Sequence, residues 1–556
     1  MFVVFEGIDG GGKTTLSNLV AGLLRERGLA VEHVREGGKF ASNVTQAMRE
    51  LGRDARNLAL TPRAELMLYL TREVQLLEEA TRPALGRADV VIADRYVYTA
   101  ETLAVHGRGM SPHEVTPVVA AAANGLVPDL VVLVDVDPHV ARARRRVSKI
   151  VTPDAKPPSR KGLAGTALQH RLRDGYLALA AREPERWIVV DNTEADLQAM
   201  AIALAAAVVD ARQDGVPAAR ARMAHPPSPP ALVGGDPAAA RAALLAWIDR
   251  RAEREPGLAA YFLDGLVGAE FDARRRALAP RAPAVVAAAL RWLDDAAAWQ
   301  LRHQLAAVAP GQIARSLASP AAAHPDAPAL LRTLVAAAPR EAATVLWGRD
   351  DELAWQLRAR LPGDLVIGSL GAVAGDRAWA LRDQWIAAHG GLERIDDVAT
   401  ATLACESVEG LGDDRAWAVR KAMRDVAPVA ALDSLYLVAD DRSWKWRERD
   451  LDRAPKTVMR TIGQSTDPRA WALRERVAAR CEETLDSIIG LDAEEAWRIR
   501  TAQLETWPWA VVKSLGPLAA TERGRAVVAT ALARWPSNVA LWRLALIVAA
   551  RAGESA

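Results

Sequence analysis

The stretch Phe5-Glu6-Gly7-Ile8-Asp9-Gly10-Gly11-Gly12-Lys13-Thr14-Thr15 decides how the first part of this chain folds. Gly7, four intervening residues and then Gly12, Lys13 and Thr14 have the spacing of a phosphate-binding loop. An apolar run, Phe2-Val3-Val4-Phe5, precedes it, as a buried parallel strand requires, and a helical pattern of Leu16, Leu19, Val20, Leu23 and Leu24 follows. In that context Gly7, Ile8, Asp9, Gly10, Gly11 and Gly12 turn their backbone N–H groups onto phosphate oxygens, and the helix N-terminus carrying Thr14 and Thr15 adds its dipole. Lys13 neutralises the β- and γ-phosphates and the Thr14 hydroxyl is a Mg²⁺ ligand. A mere glycine-rich turn is the bland alternative, disfavoured because motif and context are both intact.

Bulk properties bound the rest. The chain has 556 residues, 50% hydrophobic and 25% charged, enough for more than one core. A formal net charge of +2 gives no bulk attraction to nucleic acid or anionic membrane, so no DNA or RNA partner is expected. Cys405 and Cys481 cannot build a disulfide framework or a zinc site, which suits a reducing, cytoplasmic location. A strand entered at Phe2 leaves no room for a signal peptide, and the apolar stretch Ala201 to Val209 is too short to span a bilayer.

Residues 1–212 alternate short β runs (2–6, 30–34, 89–93, 130–135 and 187–190) with helical patterns. The runs are rich in Val, Ile and Leu without polar alternation, so the expected architecture is a doubly wound, five-stranded parallel sheet with ligands at the strands' carboxyl ends. From 213 to 236 the texture is that of a linker, with His225-Pro226-Pro227-Ser228-Pro229-Pro230 and Gly234-Gly235.

From 237 to 556 an Ala/Leu/Arg/Trp-rich helical texture takes over, with a recurring phrase: an acidic residue, then Ala-Trp-x-apolar-Arg. Copies run Asp295…Trp299…Arg302, Asp351…Trp355…Arg358, Asp376…Trp379…Arg382, Asp414…Trp417…Arg420, Asp441…Trp444…Arg447, Asp467…Trp471…Arg474 and Glu495…Trp497…Arg500. A period of about 27 residues means stacked supersecondary units, each read as two short helices with the acidic residue capping the first. The segment Ala431 to Val438 exemplifies the second helix. The texture resembles HEAT-like α-solenoids, although the unit is short. The tryptophans are either a ligand-facing row or a stacking core, and one bulky residue per unit at fixed register favours the core.

Further features narrow the class. Strand 89–93 ends in Asp94-Arg95-Tyr96, where Asp94 can hold Mg²⁺ and Arg95 can clamp a second phosphate. A long helix carries Glu65, Tyr69, Arg72 and Gln75; His106-Gly107-Arg108-Gly109, the run Pro128-Asp129-Leu130 to Asp135-Val136-Asp137-Pro138 and an arginine-dense helix (Arg142, Arg144, Arg145, Arg146) come later. This order resembles thymidylate kinase, a nucleoside monophosphate kinase family, across residues 1–212. The resemblance implies transfer of the ATP γ-phosphoryl group to a deoxynucleoside monophosphate, dTMP above all, with Mg²⁺ as cofactor. It implies catalytic roles for Lys13, Asp94, Arg95 and the lid-side arginines Arg144 and Arg146, with Arg160 and Lys161 in the lid proper. It further implies an acceptor site of Asp9, Arg49, Tyr69, Arg72 and Arg95, metal ligation by Thr14 and Asp94, and homodimers through helices.

The acceptor end departs from the family. Arg35-Glu36-Gly37-Gly38 lacks the family's proline, Tyr69 replaces a phenylalanine, and Glu73 stands where an arginine belongs. Arg72 is one position early, about 100° around the helix. Tyr98-Thr99 and Leu103-Ala104 replace polar groups that face base and sugar. Two functions therefore stay open. One is a phosphotransferase whose solenoid docks a protein partner or regulates; the other is an ATP-binding or ATP-hydrolysing switch whose kinase fold no longer phosphorylates dTMP.

Overall fold

The computed structural model describes residues 1–35, 42–152, 167–194, 196–223, 237–318 and 320–551. The chain divides into two compact units, one holding the α/β segment and the other the helical segment that follows.

In the first unit the five apolar runs form β1 (Phe2–Glu6), β2 (Val31–Arg35), β3 (Val90–Asp94), β4 (Leu130–Asp135) and β5 (Trp187–Asp191). All pairings are parallel, in the order β2-β3-β1-β4-β5. Strand order reverses at β1, so the crevice beyond its carboxyl end lies between the ends of β3 and β4. Register puts Phe5 beside Asp94 and Glu6 beside Leu133, which fixes Asp94 next to the loop that leaves β1. The helices are α1 (Lys13–Glu26), α2 (Asn43–Arg53), α3 (Pro62–Leu76), α4 (Arg82–Leu85), α5 (Val97–Thr102), α6 (Pro112–Ala123), α7 (Pro138–Val151), α8 (Ala167–Arg182), α9 (Leu197–Asp214) and α10 (Val216–Met223). Both faces of the sheet are covered. Val3, Phe5, Leu16, Val20, Ile92, Val132, Val190 and Leu204 form one core, each burial contributing about 1.5–3 kcal/mol.

The long helix expected around Tyr69 is interrupted. It passes from α3 through a π-turn at Leu77–Thr81 into α4. Pro83 lacks the N–H a regular ladder needs, and the wider turn accommodates its ring. The linker expected from 213 overlaps helices at its start. Gly215 (φ 85°) ends α9, and α10 packs back on it with Ala219 fully buried and Arg220 donating to the Trp187 carbonyl at 3.2 Å. The Pro/Gly-rich residues 224–236 lie outside the described residues.

The second unit is built of helix pairs, and among the described residues of the chain no helix is long and apolar enough to cross a membrane. Asp295, Asp351 and Asp467 cap first helices as expected. In two units the cap is the preceding aspartate, Asp413 or Asp440, and Asp376 is already helical behind Gly375. Many second helices start at proline (Pro283–Ala288, Pro310–Ser316, Pro339–Val345, Pro428–Asp433, Pro455–Ile462 and Pro508–Leu515), whereas Leu365–Gly368, Val398–Ser407 and Glu483–Asp486 do not. The second helix expected at Ala431 to Val438 is thus displaced. Proline's fixed φ starts it at Pro428, and Leu437, in the left-handed region at φ 65°, sits in the turn after it.

Trp299, Trp355, Trp379, Trp417, Trp444 and Trp497 are buried, so the recurrent tryptophan is core. Each lies under the arginine three residues on, with guanidinium carbons 4.6–5.3 Å from ring centroids. That arginine is itself fully buried. Arg302, Arg358, Arg382, Arg420, Arg447 and Arg500 each donate to a backbone carbonyl twelve residues earlier. Each second helix packs on the next unit's, up to Pro508–Leu515 on Val539–Arg551. The last of these packs in turn on Pro237–Arg254, and its Arg543 donates to the Asp264 carbonyl at 2.7 Å and carboxylate at 2.9 Å, just beyond the helix Pro256–Phe262. The array closes on itself.

Candidate active site

Local geometry follows from the glycines. Gly7 (φ 136°) and Gly12 (φ 87°) adopt conformations that side chains avoid, and a Cβ on Gly12 would meet the Asn192 amide at 2.6 Å. The loop thereby passes from β1 into α1 with Lys13 as the first helical residue. The Lys13 ammonium is buried and donates to the Ile8 carbonyl at 2.7 Å. Burial, with Arg95 nearby, brings its pKa down to about 7 against the opposing pull of Asp9, Asp94 and Glu6.

The Thr14 hydroxyl donates to the Asp94 carboxylate, and Arg35 lies 3.8 Å from that carboxylate. Thr15 is exposed on the first turn of α1. Arg95, which follows β3, gathers a second set of groups beside the loop. It takes φ 83°, a conformation that costs a residue with a Cβ about 1–2 kcal/mol. Its Nη1 donates to the Gly7 carbonyl at 3.2 Å, Thr99 Oγ1 at 3.2 Å and the Tyr176 hydroxyl at 3.3 Å, and its Nη2 pairs with the Asp9 carboxylate. Burial opposes the Arg95 charge, but Asp9, Tyr176, Tyr69 and Glu6 hold it well above the usual arginine range. Tyr69 therefore belongs to this neighbourhood. Arg72, displaced along α3, folds back over the Tyr69 ring at 4.2 Å. Glu73 is buried on the same helix and acts on Tyr96. Arg49 is half-buried on α2.

Of the lid-side arginines, Arg144 donates to the Asn192 carbonyl at 2.9 Å, and Asn192 donates through Nδ2 to the Gly11 carbonyl at 2.7 Å. The Cγ of Arg145, otherwise exposed on α7, and the Ala141 carbonyl lie where a Cβ on Gly10 would stand. Arg146 is exposed on α7, and Arg160 and Lys161 lie outside the described residues, as do Glu36, Gly37 and Gly38.

Sequence reasoning assigned no role to five side chains that hold the site. Gln169 accepts from the Asp9 N–H at 3.2 Å, and Asn192 ties the end of β5 to the loop. Thr99 and Tyr176 meet at 3.0 Å behind Arg95. Glu6, fully buried at the end of β1, accepts from the Tyr96 N–H at 2.9 Å and Thr99 Oγ1 at 2.8 Å. Burial raises its pKa, against the pull of Arg95. A charged residue closing an all-apolar strand was the available signal.

A family model described as thymidylate kinase matches residues 5–201. The thymidylate kinase of Trichlorobacter lovleyi is 38% identical over 195 residues, 35% of this chain and 90% of that protein. That of Geotalea uraniireducens is 35% identical over 214 residues, 38% of this chain and 99% of that protein. That of Solidesulfovibrio magneticus is 36% identical over 192 residues, 34% and 90%. The matches cover nearly the whole of those relatives and run through the loop, Asp94-Arg95 and the β5 end that the fold brings together. The chain belongs, through its first unit, to the thymidylate kinase family of nucleoside monophosphate kinases.

Proposed function

We propose that the chain transfers the γ-phosphoryl group of ATP to dTMP, giving dTDP and ADP. The observation that supports it most is the convergence of Asp94 and Arg95, from the end of β3, on the phosphate loop: Asp94 on Thr14, Arg95 on Asp9 and Gly7. A nucleotide switch has no use for a second guanidinium at that place. The Thr14 hydroxyl and Asp94 carboxylate are hard oxygen donors in contact with one another, a set that fits Mg²⁺. Those two residues would hold the ion, which when bound offsets charge on the transferring phosphoryl group.

The chain's own groups do the rest. Lys13 exchanges the Ile8 carbonyl for β- and γ-phosphate oxygens. Arg95 exchanges Asp9 for the acceptor phosphate, and Tyr69 stacks the base. Arg49 and Arg72 supply further positive charge at the acceptor end, and the arginines of α7 do so over the loop. The transfer is positioning and charge neutralisation.

The second unit has no counterpart in the Trichlorobacter lovleyi relative, 90% of which is spanned by 195 residues of this chain. It serves as a docking or regulatory module for a protein partner. A homodimer through α2 and α3 is supported by Val44 and Leu51 on one helix and Met67 and Val74 on the other, all exposed at seven-residue spacing.

The test is a coupled ADP-release screen of the full chain over nucleoside monophosphates, with Lys13→Ala as blank. Turnover dependent on dTMP is expected. ATP hydrolysis indifferent to every acceptor overturns the proposal.

A further inference from the structure

Glu6 touches neither phosphate loop nor acceptor position, yet both its oxygens are used. Its Oε1 accepts from the N–H of Tyr96, the residue immediately after Arg95, and the Arg95 N–H donates to the Phe5 carbonyl at 3.0 Å. The peptide groups on both sides of the strained Arg95 Cα are thus fixed to the end of β1. Its Oε2 accepts the Thr99 hydroxyl proton. With its proton committed to Glu6, Thr99 Oγ1 presents lone pairs to Arg95 Nη1 and to the Tyr176 hydroxyl. One buried carboxylate therefore sets both the backbone turn and the polarity of the hydroxyl that receives the guanidinium.

We infer that Glu6 is the positioning residue for Arg95, aiming its guanidinium at the acceptor phosphate by holding Tyr96 N–H and orienting Thr99; this rests on the acceptor role proposed for Arg95. Without Glu6 the Arg95 backbone keeps only the Phe5 carbonyl on its N-terminal side, so the left-handed conformation relaxes and carries the guanidinium away from Gly7 and Asp9. The carboxylate is required as an acceptor on both oxygens, so glutamine cannot replace it. Its NH₂ would face Thr99, turn the hydroxyl proton toward Arg95 and place donor against donor.

Steady-state kinetics of the full chain with Mg-ATP and dTMP test this on wild type, Glu6→Gln, Arg95→Ala and the double variant. Glu6→Gln is expected to raise the KM for dTMP about tenfold while moving the KM for ATP less than about twofold. In the Arg95→Ala background it is expected to change the dTMP KM no further, since the two residues act as one unit. Equal rises in both KM values, additive effects, or a folded Glu6→Gln with wild-type dTMP KM overturn the inference. Where Glu6→Gln does not fold by circular dichroism, Tyr176→Phe removes one hydroxyl from the same network. A rise of about threefold in dTMP KM is then expected in the wild-type but not the Arg95→Ala background, and its absence overturns the inference.

A wild-type chain that turns over no nucleoside monophosphate defeats the proposed function by itself. The positioning role is then read in the ligand-free protein from ¹⁵N-resolved exchange of the Arg95 guanidinium protons. They are expected to be protected in wild type and to lose protection in Glu6→Gln or Tyr176→Phe; unchanged protection overturns it.

Discussion

Arg420 reaches forward to the Ser434 carbonyl at 2.9 Å, while the same nitrogen holds the Val408 carbonyl behind it at 2.7 Å. One guanidinium thereby joins three consecutive stretches of the array, and its Nε reaches the Ser434 hydroxyl at 2.8 Å. Burial lowers its pKa to about 10, which still leaves it charged at neutral pH. Arg420→Met would remove three buried hydrogen bonds at once, leaving the Val408 and Ser434 carbonyls only their backbone donors, Leu411 N–H and Gly410 N–H, and the Ser434 hydroxyl without the Nε donor. We expect it to destabilise the second unit by about 3–5 kcal/mol, with Arg420→Lys nearly as damaging because a single ammonium cannot span the fork. Calorimetric unfolding of the full chain checks this, the transition of the first unit serving as internal reference.

Lys13 gives a pH prediction. Its pKa near 7, with the ammonium on the Ile8 carbonyl, must rise when phosphates replace that carbonyl, so binding takes up a proton above pH 7. Below about pH 7 the free loop is already charged and affinity is flat in this group. Above it, nucleotide affinity falls by up to about tenfold per unit of pH until the bound-state pKa is reached. Titration calorimetry at pH 8 in buffers of different ionisation enthalpy should show uptake approaching one proton, which Lys13→Arg abolishes.

The arginines of α7 differ in what they touch. Arg145, over Gly10, is expected to be the one whose loss slows turnover: Arg145→Ala should lower kcat by about a hundredfold or more. Arg144→Ala, removed from the Asn192 carbonyl, should chiefly raise the KM for ATP, by about tenfold. Initial rates over both substrates separate the two.

Truncation separates the units at a place composition alone misjudges. A chain ending at 223 keeps α10, with Ala219 in the core and Arg220 on the Trp187 carbonyl, and should fold with the full chain's kinetic constants if the second unit only docks partners. One ending at 212 exposes the face of α9 that α10 covers and should lose about 3 kcal/mol or more in thermal or urea unfolding.

Much of the first unit was legible because its signals are local. Fully buried parallel strands must be apolar throughout, so all five strands lie within a residue of the runs at 2–6 to 187–190. A loop that wraps phosphate with backbone must be glycine-rich. What escaped is tertiary. Glu6 sits inside the most readable stretch of the chain, but its partners Tyr96 and Thr99 lie about ninety residues away. The choice among Arg144, Arg145 and Arg146 depends on helix phase in the middle of α7. In the repeats the tryptophan drew attention as the bulkiest residue. The arginine three residues on reads as solvated surface until its carbonyl partners in neighbouring units are seen, and Pro428, which starts a helix, reads as a breaker when taken alone.

The packing of Val539–Arg551 on Pro237–Arg254, pinned by Arg543 to Asp264 just beyond the next helix, removes a freedom that open repeat proteins keep. An open stack lengthens or shortens by duplication or loss of a module, because each added copy needs only one neighbour. A closed one has a fixed census: an extra module has no seam to enter, and a missing one leaves two apolar flanks facing water. Such a unit diversifies by substitution within modules, never by changing their number, and its first and last helices, already neighbours, are where a permuted version of the unit would be spliced.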